Sequence, residues 1–203
     1  MNERLSLNQL DLLREIGTIG AGRSATALAD LTGEKVEISV PQASLVPLEN
    51  ISSLLGGLER LLFVLDMEIK GDISGRIFLL FLPEDAKLLS SYLLGKPKDQ
   101  LNSNDEMFQS SLKESANILS GSYITALAEM TNLNVISSVP SLAIDMVGAI
   151  LDFIFIQIAQ YSEEALFIKT DLKVKGLNLE GLFLFFPSNE SLKKIFGALG
   201  MKE

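Results

Sequence analysis

Two stretches of the sequence repeat one chemical pattern at positions i, i+4 and i+7: Asp11, Glu15 and Thr18, then Ser110, Glu114 and Asn117. On an α-helix that spacing puts all three side chains on one face. A carboxylate one turn from a carboxamide can do two things: the glutamate can pair with a cation, and the amide can hold a water by hydrogen bonding without being a strong base. Such a polar stripe also serves simply to solvate a helix, and pattern alone leaves both readings open. The 203 residues include no cysteine and no histidine. Disulfides, thiolate metal sites, cysteine nucleophiles, Ser-His-Asp triads and imidazole bases are therefore excluded. Chemistry is left to carboxylates, amides, hydroxyls and lysines.

Charge and hydropathy narrow the class further. Twenty-six acids against 17 bases give a net charge of −9 and a pI near 4.6, which repels nucleic acid over most of the surface. No run approaches the roughly 18 uninterrupted apolar residues of a membrane span, because Asp145 and Asp152 interrupt the most apolar stretch. The residues Met1-Asn2-Glu3-Arg4 do not resemble a secretory signal, and a cytoplasmic location is expected.

The elements that must position these residues are legible from a self-match at an offset of 99 residues. Leu13 to Gly22 and Thr26-Ala-Leu-Ala-Asp align with Leu112 to Gly121 and Thr125-Ala-Leu-Ala-Glu, and Val36 to Pro41 aligns with Val135 to Pro140. Each motif glutamate thus stands 26 positions before a proline. Helical periodicity through Leu12, Ile16 and Ile19 predicts a long motif-bearing helix in each copy, followed by a β-branched strand. Two extended runs come next, Leu61 to Lys70 and Ser74 to Leu82, separated by Gly71-Asp72, whose composition suits a tight turn. Ala165 to Lys175 and Asn178 to Phe186 repeat them, and Pro83 and Pro187 open closing helices.

The expected fold class is α+β: one domain over residues 1–203, built from pseudo-symmetric repeats of about 8–96 and 105–201. A mixed sheet of about six or more strands would carry the two long helices. Residues 95–105 read as the connector, with Asn104 or Asp105 capping the second long helix.

Ser110-x3-Glu114-x2-Asn117-x22-Pro140 resembles the signature of the CheC, CheX and FliY chemotaxis phosphatases, and the two-copy arrangement is similar to that of CheC. The likeness extends along nearly the whole chain, including the IGTIGAG and TALA segments. It implies an enzyme that dephosphorylates the aspartyl phosphate of a CheY-like response regulator. Asn117 would orient the attacking water, Glu114 would pair with the receiver lysine, and Ser110, Asp11, Pro41 and Pro140 would support the motifs. No cofactor is implied beyond the Mg²⁺ that the receiver supplies. The first copy departs from the pattern, since Thr18 stands where asparagine is expected. Glu15 and Thr18 therefore form the weaker site, because a hydroxyl presents different hydrogen-bonding geometry from an amide.

The resemblance also implies a second partner, the receptor deamidase CheD, docking at Asp145 with Ile144, Met146 and Val147 as apolar anchors on a helix. From the residues alone, that acid is the edge of an amphipathic helix. Gly17, Gly20 and Gly22 do not have phosphate-loop spacing and read as close packing between helices. Lys169, Lys173, Lys193 and Lys194 read as solvated charges. Against the phosphatase stand a non-catalytic CheD-binding adaptor and a flagellar switch component, the latter disfavoured because 203 residues leave no room for extra domains. Internal symmetry predicts a monomer.

Overall fold

The computed structural model describes residues 6–47, 50–158, 164–174 and 177–201. Helix α1 (Leu7–Thr32) begins in a capping box, in which the Ser6 hydroxyl accepts from the Gln9 amide and the Ser6 amide donates to Gln9 Oε1 at 2.7 Å. It ends at Gly33 in the left-handed conformation. Helix α4 (Glu106–Thr131) has the same 26-residue length and a left-handed cap at Asn132, 99 positions after Gly33, with Asp105 at its N-cap position. Thr32 and Thr131 close the two helices alike, each donating its hydroxyl to the carbonyl four residues earlier.

Between and after these helices come β1 (Val36–Pro47), a short α2 (Ile51–Leu54), β2 (Leu61–Gly71), β3 (Gly75–Phe81), α3 (Pro83–Leu94), β4 (Val135–Ser137), β5 (Ser141–Met146), α5 (Val147–Ile158), β6 (Glu164–Val174), β7 (Leu177–Pro187) and α6 (Asn189–Ala198). The hairpin strands fall within one residue of the runs read from sequence. The turn after β2 needs Gly71, whose φ is +113° and whose Cα lies against the Asn134 carbonyl, where a Cβ would meet the oxygen at 2.2 Å.

The seven described strands form one sheet in the order β1-β6-β7-β3-β2-β4, with β5 also on β2. Its connectivity is crossed between the copies. β1 pairs with β6 of the second copy, while β4 and β5 pair with β2 of the first. The seam is β3 against β7, where Leu79 faces Phe183. Those two residues are 104 apart, the offset that also relates Phe81 to Phe185 and Pro83 to Pro187. A two-fold relation perpendicular to the sheet makes the strands across such a seam antiparallel, and the hairpins are antiparallel by connection. All six described pairings are antiparallel, where a mixed sheet was expected.

Alternating side chains of β2 and β3 divide the core. Phe63, Leu65, Met67, Ile77, Leu79 and Phe81 pack under α1, α3, α4 and α6. Leu62, Val64, Phe78 and Leu80 pack on the opposite face with Val147, Ile150, Leu151 and Ile154 of α5. Each fully buried Leu, Ile, Val or Phe side chain contributes about 1.5–3 kcal/mol relative to exposure, so the doubly covered central strands hold the sheet rigid beneath both long helices. Among the described residues no helix is long and apolar enough to cross a membrane.

Candidate functional site on the paired long helices

Helices α1 and α4 lie side by side on the sheet, and their crossing is close. A Cβ built on Gly20 would sit 2.9 Å from Tyr123 Cα and 3.0 Å from its amide nitrogen. Small and large residues complement each other there: Gly20 and Ser24 of α1 correspond by offset to Leu119 and Tyr123 of α4. The Tyr123 ring packs on Phe183 at 4.8 Å and on Phe185 at 5.8 Å between centroids. Its buried hydroxyl has no hydrogen-bond partner among the described residues, and burial pushes the phenol well above its ordinary pKa. The cavity beneath the crossing, lined by Gly17, Gly20, Leu119, Tyr123 and Phe183 among others, measures about 30 Å³. That is far below the roughly 300 Å³ at which small-molecule sites begin.

The opposite faces of the two helices carry the motifs. Asp11, Glu15 and Thr18 are exposed on α1, and Ser110, Glu114 and Asn117 are exposed on α4. Glu114 and Asn117 are three residues apart, about 4.5 Å along the axis. Both stand on a helix whose inner face is pinned by Phe108, Leu112, Ala116 and Leu127. The copies differ at the third position. Thr18 Oγ1 donates to the Arg14 carbonyl at 2.9 Å, turning the hydroxyl back onto its own helix. No described residue hydrogen-bonds the Asn117 carboxamide. Across the helix pair Arg23 bonds Glu129, which raises the arginine pKa and lowers that of the glutamate through the shared hydrogen bond.

Both motif prolines stand at register shifts. Pairing of β1 with β6 slips by one residue between Ser39 and Gln42, which brackets Pro41. On the other edge Ile69 pairs with Ser137 and Asp66 with Ser141, so Ser138, Val139 and Pro140 stand opposite only Met67 and Glu68. Proline has no N–H for the ladder and suits such a bulge. Ser138 supplies the local bonds instead: its amide donates to the Glu68 carbonyl at 2.8 Å, and its hydroxyl accepts from the Glu68 amide at 3.0 Å. Pro140 is buried at this bulge.

The segment around Asp145 differs from expectation. Ser141–Met146 is strand β5, paired along β2, and the helix begins only at Val147. Asp145 is exposed and accepts from the Met146 amide at 2.8 Å. Val147, expected as an anchor for a partner, is 0% exposed in the chain's own core, and Ile144 packs into the other core. Alternation along a strand accounts for this, since Leu142 and Ile144 point inward. Of the three apolar residues named from sequence, only Met146 is open, at 52%. The exposed apolar side chains that sequence reading missed are Phe153 at 39% and Ile156 at 74% on α5. Only Asp152 and Gln157 are polar side chains in this helix, so periodicity gives little sign of which face is covered.

One of the three helix glycines, Gly22, also corrects the sequence reading, as does its counterpart Gly121. Gly20 is a close-packing glycine, but a Cβ on Gly22 or Gly121 would meet nothing within 4 Å. Among the described residues no group of three or more His, Cys, Asp or Glu side chains could hold a metal ion.

A model described as the CheC-like family matches residues 9–45 and 107–144, one segment over each motif. The CheY-P phosphatase CheC of Bacillus subtilis is 34% identical over 196 residues, covering 95% of this chain and 94% of the relative. The chain belongs to the CheC family. Among solved structures, FliY of Thermotoga maritima superposes with a TM-score of 0.76 at 21% identity, covering 97% of this chain and 98% of its own. A chain of the CheX-CheY-BeF3-Mg²⁺ complex from Borrelia burgdorferi gives a TM-score of 0.50 at 13% identity, with 84% and 96% covered. At these identities the two structures show that the CheC-family fold is shared.

Proposed function

We propose that this CheC-family chain hydrolyses the aspartyl phosphate of a phosphorylated CheY-like response regulator, and that α4 carries the working site. The observation that carries this reading is the pair Glu114 and Asn117, exposed one turn apart on a rigid helix, with no described residue engaging the amide. A phosphorylated receiver brings its own Mg²⁺ and lysine, so what it lacks is chiefly an oriented water. Glu114 pairs with the receiver lysine and fixes the docking. The Asn117 Oδ1 accepts from one O–H of a water, aligning the water oxygen with phosphorus opposite the aspartyl oxygen. As the new P–O bond forms, the bond to the aspartyl oxygen breaks. The receiver carboxylate is restored and the water proton leaves with inorganic phosphate.

The name of the Bacillus subtilis relative, CheY-P phosphatase CheC, supports this reading, as does the CheX-CheY pairing in a structure of related fold. In this scheme the protein acts as a single domain in the cytoplasm, a monomer carrying both copies of the motif. Glu15 and Thr18 form a second, weaker site. Decay of a ³²P-labelled receiver, followed with wild type and Glu114→Ala, tests the reading. Acceleration by wild type and its loss in the variant support it, while a wild-type decay equal to spontaneous hydrolysis contradicts it.

A second reading, an adaptor for a CheD-type deamidase, draws on the other side of the molecule. Met146, Phe153 and Ile156 are exposed apolar side chains at the start of α5 and along it, with Asp145 and Asp152 exposed beside them. Binding of CheD that weakens in Ile156→Lys while phosphatase activity persists would establish this second role.

A further inference from the structure

We propose that Gly121 is the position at which the phosphorylated receiver meets the bare backbone of α4, keeping the path to Asn117 open. The inference rests on the phosphatase reading and concerns the same face. Ser110, Glu114, Asn117 and Gly121 stand at i, i+4, i+7 and i+11, one stripe about 16 Å long.

Glycine in the middle of a 26-residue helix is unfavourable, and a fold normally keeps one there for a reason of its own. Neither usual reason applies. Gly121 is not among the described residues with positive φ, and a Cβ on it would meet nothing within 4 Å, whereas one on Gly20 would meet Tyr123 Cα at 2.9 Å. The isolated chain therefore has room for a side chain at position 121.

Direction supplies the reason. A Cα–Cβ bond on a helix tilts toward the N-terminus, so a side chain covers the turn before it. At position 121 that turn holds Asn117. Any side chain there would lean toward the carboxamide and lift an approaching surface away from it, and asparagine is too short to follow. The first copy has the same relation between Gly22 and Thr18, and a Cβ on Gly22 would also meet nothing within 4 Å. The open position thus recurs with the motif.

Stability and activity should therefore move in opposite directions. Gly121→Ala is expected to raise the thermal midpoint by roughly 2–4 °C. It should also slow receiver dephosphorylation about tenfold and raise the half-saturating receiver concentration, with Gly121→Leu losing about a hundredfold. Gly197→Ala on α6, where a Cβ also meets nothing within 4 Å, should gain stability with unchanged activity. Wild-type rates in both Gly121 variants, beside a wild type that accelerates decay and an Asn117→Ala variant that does not, overturn this inference alone. A lowered thermal midpoint in Gly121→Ala overturns it too, by showing the glycine to be structural. A wild type that fails to accelerate decay overturns the phosphatase reading and this inference with it.

Discussion

The Thr18 hydroxyl is spent on the Arg14 carbonyl, 2.9 Å away in its own helix. Its counterpart Asn117 extends a carboxamide from an equivalent exposed position. One helix face therefore presents a carboxamide that no described residue engages, and the other a hydroxyl turned back onto its own backbone. On the phosphatase reading, an amide at position 18 should give a second working site. Thr18→Asn is expected to raise the phosphatase rate up to about twofold, as one working site becomes two. In an Asn117→Ala background the same change should recover roughly half of wild-type activity. Initial rates with a labelled receiver check both.

The helix crossing sets the spacing between the motif faces, and Gly20 lies at a close approach within it. The atoms that a Cβ would meet are backbone atoms of Tyr123, which cannot rotate aside. Gly20→Ala should destabilise by about 1–3 kcal/mol despite better helix propensity. Urea unfolding measures this, and Gly22→Ala should shift the other way.

Tyr123 keeps a hydroxyl in the core without a partner among the described residues. Leaving such a group unpaired costs about 1–3 kcal/mol, so Tyr123→Phe should stabilise by a comparable amount at neutral pH. The phenol also has a pH signature. Burial raises its folded-state pKa above the ordinary value of about 10. The unfolded chain thus releases the proton first, and stability falls as pH rises past about 10. The variant lacks that fall, so its advantage should widen under alkaline conditions, as read by denaturant midpoints across pH 8–11.

On the α5 face of the sheet, Arg76 grips Asp66 through Nε at 3.0 Å and through Nη2, and also donates to Gln157 at 2.8 Å. Both side chains of the pair are largely buried, at 18% and 8% exposed. Asp66→Ala leaves the guanidinium buried without its counter-charge and should cost about 3–5 kcal/mol. Replacing both partners by Leu and Met should cost far less. Thermal unfolding of the single and double variants separates the two cases.

Local pattern carried much of this structure and pairing carried the rest. Leu61–Lys70 and Ser74–Leu82 were legible because a hydrophobic run flanked Gly71-Asp72, and the motif helices because Leu12, Ile16 and Ile19 follow helical spacing, although Leu13 and Ile16 are the ones buried and Ile19 is exposed. The crossed pairing of β1 with β6 and of β5 with β2 was not, since nothing within a strand names a partner 75 or more residues away along the chain. That same pairing explains the misreading at Asp145. Ser141–Met146 is short and apolar, compatible with either period, and docking along β2 decides for a strand. At the candidate site, residue type and spacing put Glu114 and Asn117 on one helix face, and both are exposed on α4. The back-bond of Thr18 and the open space at Gly121 emerge only in three dimensions.

The central claim is that the Asn117 carboxamide does the chemistry's positioning work on a docked receiver. It is tested most directly by the decay of the labelled phospho-receiver with Asn117→Ala, alongside binding of a beryllofluoride-activated receiver to the same variant. The predicted result is a loss of about a hundredfold in rate with binding held within a few-fold, since Glu114 still docks. Dephosphorylation at the wild-type rate by Asn117→Ala would contradict the account.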